Sequence, residues 1–177
     1  MGTPIKFGIL GGLAMIALQM IVYLLNPSGL VSNYSILFFL PLLFLMIYGG
    51  ITHRKEKGGF DDYKDALRTV FIIGFIGAVA NNIFSIVLYN VIDPTLPDML
   101  KQAMIENTQA TMENFNASDT DIEKALEAIK KEDYRPSLKS FGLGILIVLA
   151  INTILSLLIA SFIRRDSNAA NPQNLYK

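Results

Sequence analysis

The chain has no cysteine and one histidine in 177 residues. Without cysteine there are no disulfides, no thiolate catalysis and no cysteine-ligated metal. That absence leaves the compartment open, because membrane proteins do without disulfides on either side. A lone histidine, His53, cannot complete a zinc site. It lies in a basic stretch with Arg54, Lys55 and Lys57, where a solvated or lipid-headgroup role is the economical reading. Charge is also scarce. Asp, Glu, Lys and Arg make up 17% of the chain, against about 25% in an ordinary soluble domain. Fifteen basic residues balance fifteen acidic ones, so there is no basic field for nucleic acid and no nucleic-acid partner is expected. The phosphate-loop pattern G-x-x-x-x-G-K-[ST], the G-x-S-x-G elbow and the zinc pattern H-E-x-x-H do not occur. No internal repeat is evident, so the inverted-repeat signature of many transporters is missing.

What the chain has is long uncharged runs, and Gly58–Pro94 organises the rest. It opens with charge, then runs from Thr69 to Ile92 without any, and stops at Asp93-Pro94. That run is long enough for a helix to cross about 30 Å of hydrocarbon. Asp61 is the expected N-cap, with Asp62 and Asp65 in the first turn, where negative charge suits the helix dipole. Cap and dipole explain all three carboxylates, so no metal is expected. Pro94 disfavours helical geometry at Asp93 and ends the helix.

Three more runs have this character. Phe7–Leu25 ends in the turn cluster Asn26-Pro27-Ser28-Gly29 and reads as a retained helix rather than a cleaved signal. Tyr34–Ile51 carries Pro41 near its middle, which predicts a kink with the Leu37 carbonyl freed from its helical partner. Phe141–Ile163 is stopped by Arg164-Arg165. The expected spans are therefore about 7–25, 34–51, 69–92 and 141–163, with 166–177 as a flexible tail.

Orientation follows from Lys and Arg in the flanks. Nine lie on the side holding both termini and the second loop, and Asn26–Asn33 has none. Both termini are expected in the cytoplasm, with residues 93–140 outside. That outer segment has helical pattern. Leu96, Met99, Leu100, Ala103 and Met104 fall at helical spacing, and Ser118-Asp119-Thr120-Asp121 reads as a capping box before Ile122, Ala125, Leu126 and Ile129. Two amphipathic helices, about 97–115 and 119–131, follow. Their apolar faces can pack on each other and the bundle, lie on the membrane, or grip a protein partner.

Polar residues inside the spans are few. Asn81 and Asn82 lie mid-span in the third, Asn152 mid-span in the fourth, and Gln19 off-centre in the first. Small residues accompany them at four-residue spacing: Gly74, Ala78 and Asn82 on one face, Gly77, Asn81 and Ser85 on the next, and Asn152, Ser156 and Ala160 on the fourth span. Such amides join helices by hydrogen bonds, or they line a polar path. No ionisable residue lies inside a span, which argues against proton coupling and against acid–base or metal catalysis at depth. At the outer boundary, Asp93 sits unfavourably at a helix C-terminus. It is expected either to pair with Arg135 or Lys139, with Tyr89 in reach, or merely to favour the Asp-Pro turn.

The cytoplasmic GGFDDYKDALRTVF, the LYNVIDP closing the third span and the last apolar span ending in basic residues together resemble a family of small bacterial four-helix inner-membrane proteins, domain of unknown function 4199. The resemblance covers nearly the whole chain. It implies four spans and a bacterial inner membrane, and it implies no catalytic residue. The expectation is an all-α integral membrane four-helix bundle with an extracytoplasmic helical segment, in contact with the lipid bilayer and without a cofactor. A non-enzymatic scaffold or sensor acting through its outer helices is the first functional reading. A small transporter or channel component using Gln19, Asn81, Asn82 and Asn152 is the second.

Overall fold

The described residues fold into six α-helices, α1 (Thr3–Leu25), α2 (Leu40–Glu56), α3 (Tyr63–Val87), α4 (Leu96–Asn114), α5 (Asp119–Lys131) and α6 (Leu138–Ile163). The structure is a computed structural model that describes residues 2–32, 35–59, 62–131 and 138–164, without the side chains of 35, 36 and 138–141. Among the described residues there is no strand. Among the described residues four helices are long and apolar enough to cross a membrane: Thr3–Leu25, Leu37–Glu56, Tyr63–Ile92 and Gly142–Ile163. The molecule is an all-α, multi-pass membrane bundle. Large apolar side chains on its outward faces, such as Leu13, Leu146, Ile154 and Phe162, are exposed, as expected of helices in contact with lipid chains.

Helix α3 touches all three other spans. Its residues Ala66, Val70 and Ile73 are fully buried, facing Leu42 and Met46 of α2 and Met15 of α1. Small residues permit the close approach. A Cβ at Gly12 of α1 would come within 2.9 Å of Ala80 Cβ and 3.2 Å of the Gly77 carbonyl oxygen, which is the small-residue contact predicted for membrane helices. On α6, Asn152, Ser156 and Ala160 are all buried, so the face read from their spacing is the face that packs.

Two helices depart from expectation at their boundaries. Pro41 does not kink a long helix. Residues Ser35–Phe39 form a 3₁₀ turn, and Pro41 lies in the first turn of α2. Proline is suited to that place because the first N–H groups of a helix have no internal partner. The helix also runs on through His53, Arg54, Lys55 and Glu56, residues read as loop from their polarity. The second departure is at α3, whose N-cap position is Asp62, with extended backbone and no side-chain cap bond. Asp61, the expected cap, lies outside the described residues.

Two helices end in the same way. After α2, Gly58 and Gly59 take φ of +82° and +92°, and their N–H groups bond to the carbonyls of Lys55 and Arg54. After α4, Asn116 takes φ of +53°, its N–H bonds to Glu113 and that of Ala117 to Met112. This Schellman arrangement satisfies helix carbonyls that would otherwise lack donors. At the second site asparagine does what glycine commonly does, since its short polar side chain tolerates left-handed backbone.

The α4–α5 hairpin caps the end of the bundle where α1 and α3 finish. Leu96, Leu100 and Leu88 are buried among Met20, Tyr23, Leu30 and Val31. Ala103 is buried too, while Met99 is 47% exposed and does not join that core. Helix α5 packs on α4 and has no buried residue. Its capping box forms as expected: the Asp121 N–H donates to Ser118 Oγ at 3.3 Å, and that hydroxyl donates to Asp121 Oδ2 at 2.6 Å. Lys101 of α4 donates to the Lys130 carbonyl at the other end of α5.

Candidate functional site

The four intramembrane amides separate into two groups on two faces of α3. In the first, Gln19 of α1 is 6% exposed, and its Nε2 donates to Ser85 Oγ at 3.1 Å. The Ser85 hydroxyl in turn donates to the Asn81 carbonyl at 3.0 Å. These residues, with Tyr89, Met15, Leu30 and Phe38, line a cleft of about 210 Å³. Asn81 Oδ1 is buried and has no hydrogen-bond partner among the described residues. An unpartnered buried carbonyl oxygen is unfavourable, so the cleft offers free acceptor capacity at depth; on α6 the buried Ser156 Oγ also has no hydrogen-bond partner among the described residues.

The second group joins α3 to α6. Asn152 is 5% exposed, and its Nδ2 donates to the Phe71 carbonyl at 3.1 Å. Its Oδ1 sits where a side chain on Gly74 would lie. Asn82 faces Gly144, 3.3 Å from the place of that residue's missing Cβ. Gln19 and Asn152 therefore act as interhelical joints, and the four amides do not converge on one path.

At the boundary, α3 continues into a wider π turn, Leu88–Ile92, closed by the Asp93 N–H on the Leu88 carbonyl at 2.8 Å. A π turn sets the residues beyond it one position out of α-helical register. Asp93 accepts from Thr95 N–H at 3.1 Å, Thr95 Oγ1 at 2.7 Å and Tyr23 Oη at 3.2 Å. The Thr95 hydroxyl, with its N–H and the Tyr23 phenol, holds the Asp93 carboxyl below the usual carboxylate range, against a smaller opposing effect of desolvation. The turn reading of Asp93 is realised, with a tie to the first span that its sequence position did not announce. Tyr89 lies in the Gln19 cleft, and Tyr23 takes the role expected of it. Arg135 and the side chain of Lys139 lie outside the described residues. Tyr23 was missed because a tyrosine at the end of an apolar run has no signal separating a packing role from a hydrogen-bonding one.

At the opposite end, Arg54 Nη1 donates to the Ile163 carbonyl at 2.6 Å, closing the last turn of α6. Lys57 pairs with Asp65 at 2.8 Å across the α2–α3 turn, and Arg164 stands over the Tyr63 ring at 5.8 Å. Two of the cations read as headgroup contacts are thus engaged within the protein. Among the described residues no group of three His, Cys, Asp or Glu is placed to hold a metal.

No curated protein matches the chain, and no solved structure does. A family profile described as "Protein of unknown function (DUF4199)" matches residues 6–165. That stretch takes in all four spans, the hairpin and the amides just described. The chain is a multi-pass membrane protein of the DUF4199 family.

Proposed function

We propose that the protein is a non-enzymatic scaffold or sensor of the bacterial inner membrane, acting through the α4–α5 hairpin on a protein partner. The hairpin's construction carries this reading. Helix α4 is anchored in the bundle by Leu96 and Leu100, whereas α5 buries no residue. Phe115, 81% exposed, stands at the tip beside the left-handed Asn116. A large aromatic side chain on a fixed turn is the type of anchor on which interfaces concentrate their binding energy. Glu113, Asp119, Asp121 and Glu123 lie close to it in the sequence, so a partner with an apolar pocket and a basic rim would suit this end of the hairpin. The basic flanks support an orientation with both termini in the cytoplasm and the hairpin outside it.

A photo-crosslinking residue at Phe115, in the full chain in cells, tests the reading. A discrete protein adduct is expected there, and none from the same residue at Lys64. Lipid adducts alone at Phe115 would defeat it. The unpartnered Asn81 Oδ1 favours a second reading, a small transporter component working through the Gln19 cleft. In that case solute flux into proteoliposomes is present in the wild type and lost in Asn81→Leu.

A further inference from the structure

At the end away from the hairpin, residues of α1, α2 and α3 line a cleft of about 270 Å³, with Pro4 contributed by α1. Its wall includes His53, Lys57, Asp65, Arg68 and Thr69, with Ile72 on the apolar side. Donors outnumber acceptors here. Arg68 carries a planar fork of five N–H groups, Lys57 an ammonium, and His53 at least one ring N–H in either protonation state. The one carboxylate in the wall, Asp65, is already held by Lys57. The nearby Glu56 accepts the Thr3 hydroxyl at 2.6–2.7 Å and lies 3.7 Å from His53 Nδ1. With Lys57 and Asp65 offsetting each other, the charge left to the wall is that of Arg68. What fits is a small anion with several acceptor oxygens.

The depth of the cavity narrows the choice. Thr69 is buried and opens the uncharged run of α3, and Arg68 directly precedes it. The cavity therefore lies where the apolar span meets the polar turn, at the height of lipid headgroups. We propose that it binds the phosphate group of an anionic membrane phospholipid. The Arg68 fork matches two phosphate oxygens at once, and Ile72 lies on the side toward which the lipid's glycerol and chains run. Basic pockets between helices at a membrane boundary are suited to capturing such headgroups. Free phosphate shares the oxygen chemistry but has nothing to lay along Ile72.

The test uses the full chain, purified in mild detergent and stripped of lipid. It is titrated with phosphatidylglycerol, phosphatidylcholine or inorganic phosphate, and bound lipid is read by native mass spectrometry. The wild type is expected to retain phosphatidylglycerol in preference to phosphatidylcholine, with no displacement by millimolar phosphate. Arg68→Gln should weaken phosphatidylglycerol binding about fivefold, and Lys64→Gln, which removes the same charge outside the cavity, less than about twofold. Equal losses in the two variants would mean diffuse surface attraction and would overturn the site. Displacement by inorganic phosphate would overturn the lipid assignment in favour of a free anion. No preference between the two lipids in the wild type overturns the proposal without any variant, so it stays testable even if Arg68→Gln does not fold.

Discussion

Gly74→Ala is a one-carbon change at the joint between α3 and α6. The added Cβ would overlap Asn152 Oδ1 and stand 2.8 Å from Met46 Cε. The methionine tail can give way, because thioether chains are flexible. The amide cannot, unless it abandons its 3.1 Å bond to the Phe71 carbonyl. Overpacking of this kind costs about 1–3 kcal/mol, and alanine's better helix propensity offsets about 1 kcal/mol of it. A net loss of up to about 2 kcal/mol is expected. Asn152→Ala alone forfeits the interhelical bond, worth about 0.6–1.7 kcal/mol. In the double variant the new methyl group occupies the space the amide has left, so the two losses should fall short of additivity by about 1 kcal/mol. Reversible unfolding by dodecyl sulfate in mixed micelles, followed by helicity, measures all three. A Gly74→Ala protein about 1 kcal/mol more stable than the wild type would show that propensity alone acts there. Strict additivity would show that the two residues do not share a space.

Three further outcomes are expected. Asp93 has its carboxyl held low in the folded protein, so the stability it contributes is present above the ordinary carboxylate range and lost as pH falls through the lowered value; Asp93→Asn should flatten the acid side of a plot of Tm against pH, and an unchanged plot would remove Asp93 from the account. At the left-handed position 116, Asn116→Ala should destabilise by about 1 kcal/mol while Asn116→Gly is near neutral, and equal Tm values for the two would refute the strained-turn reading. Because the chain lacks native cysteine, a cysteine at Thr120 should react with an impermeant reagent outside spheroplasts and one at Lys55 should not, with the reverse pattern inverting the proposed orientation.

Much of this architecture is legible in the residue pattern because lipid imposes a strict rule. Uncharged runs such as Thr69–Ile92 must be helical, since hydrocarbon cannot satisfy free backbone groups. The faces carrying Gly74, Gly77 and Asn152 were legible for a related reason: small and amide residues stand out against Leu and Ile. Pro41 was misread because a proline is compatible with either a kink or a helix start, and local sequence does not say where the preceding turn tightens. His53–Glu56 read as loop by polarity, yet they extend α2 because the water-facing end of a spanning helix tolerates charge. The division of the amides between two faces of α3 was present in their spacing. Which neighbour each face meets was not, because that is a matter of tertiary packing. Asp93 shows the same limit: its turn was local and readable, and its bond to Tyr23, seventy positions away, was not.

The meeting of α2 and α3 through Leu42, Met46, Val70 and Ile73 has a consequence for permeation. Those side chains are buried in one apolar core, and Gly77 brings Leu42 against the α3 backbone. A path through a single copy at that point would have to displace this packing. Conduction would require either several copies arranged around a shared opening or a swing of α1 or α6 away from α3. The second route would break the Gln19–Ser85 bond or the Asn152–Phe71 bond. Each of those contacts is then a latch on a different side of the bundle, and opening one need not disturb the other.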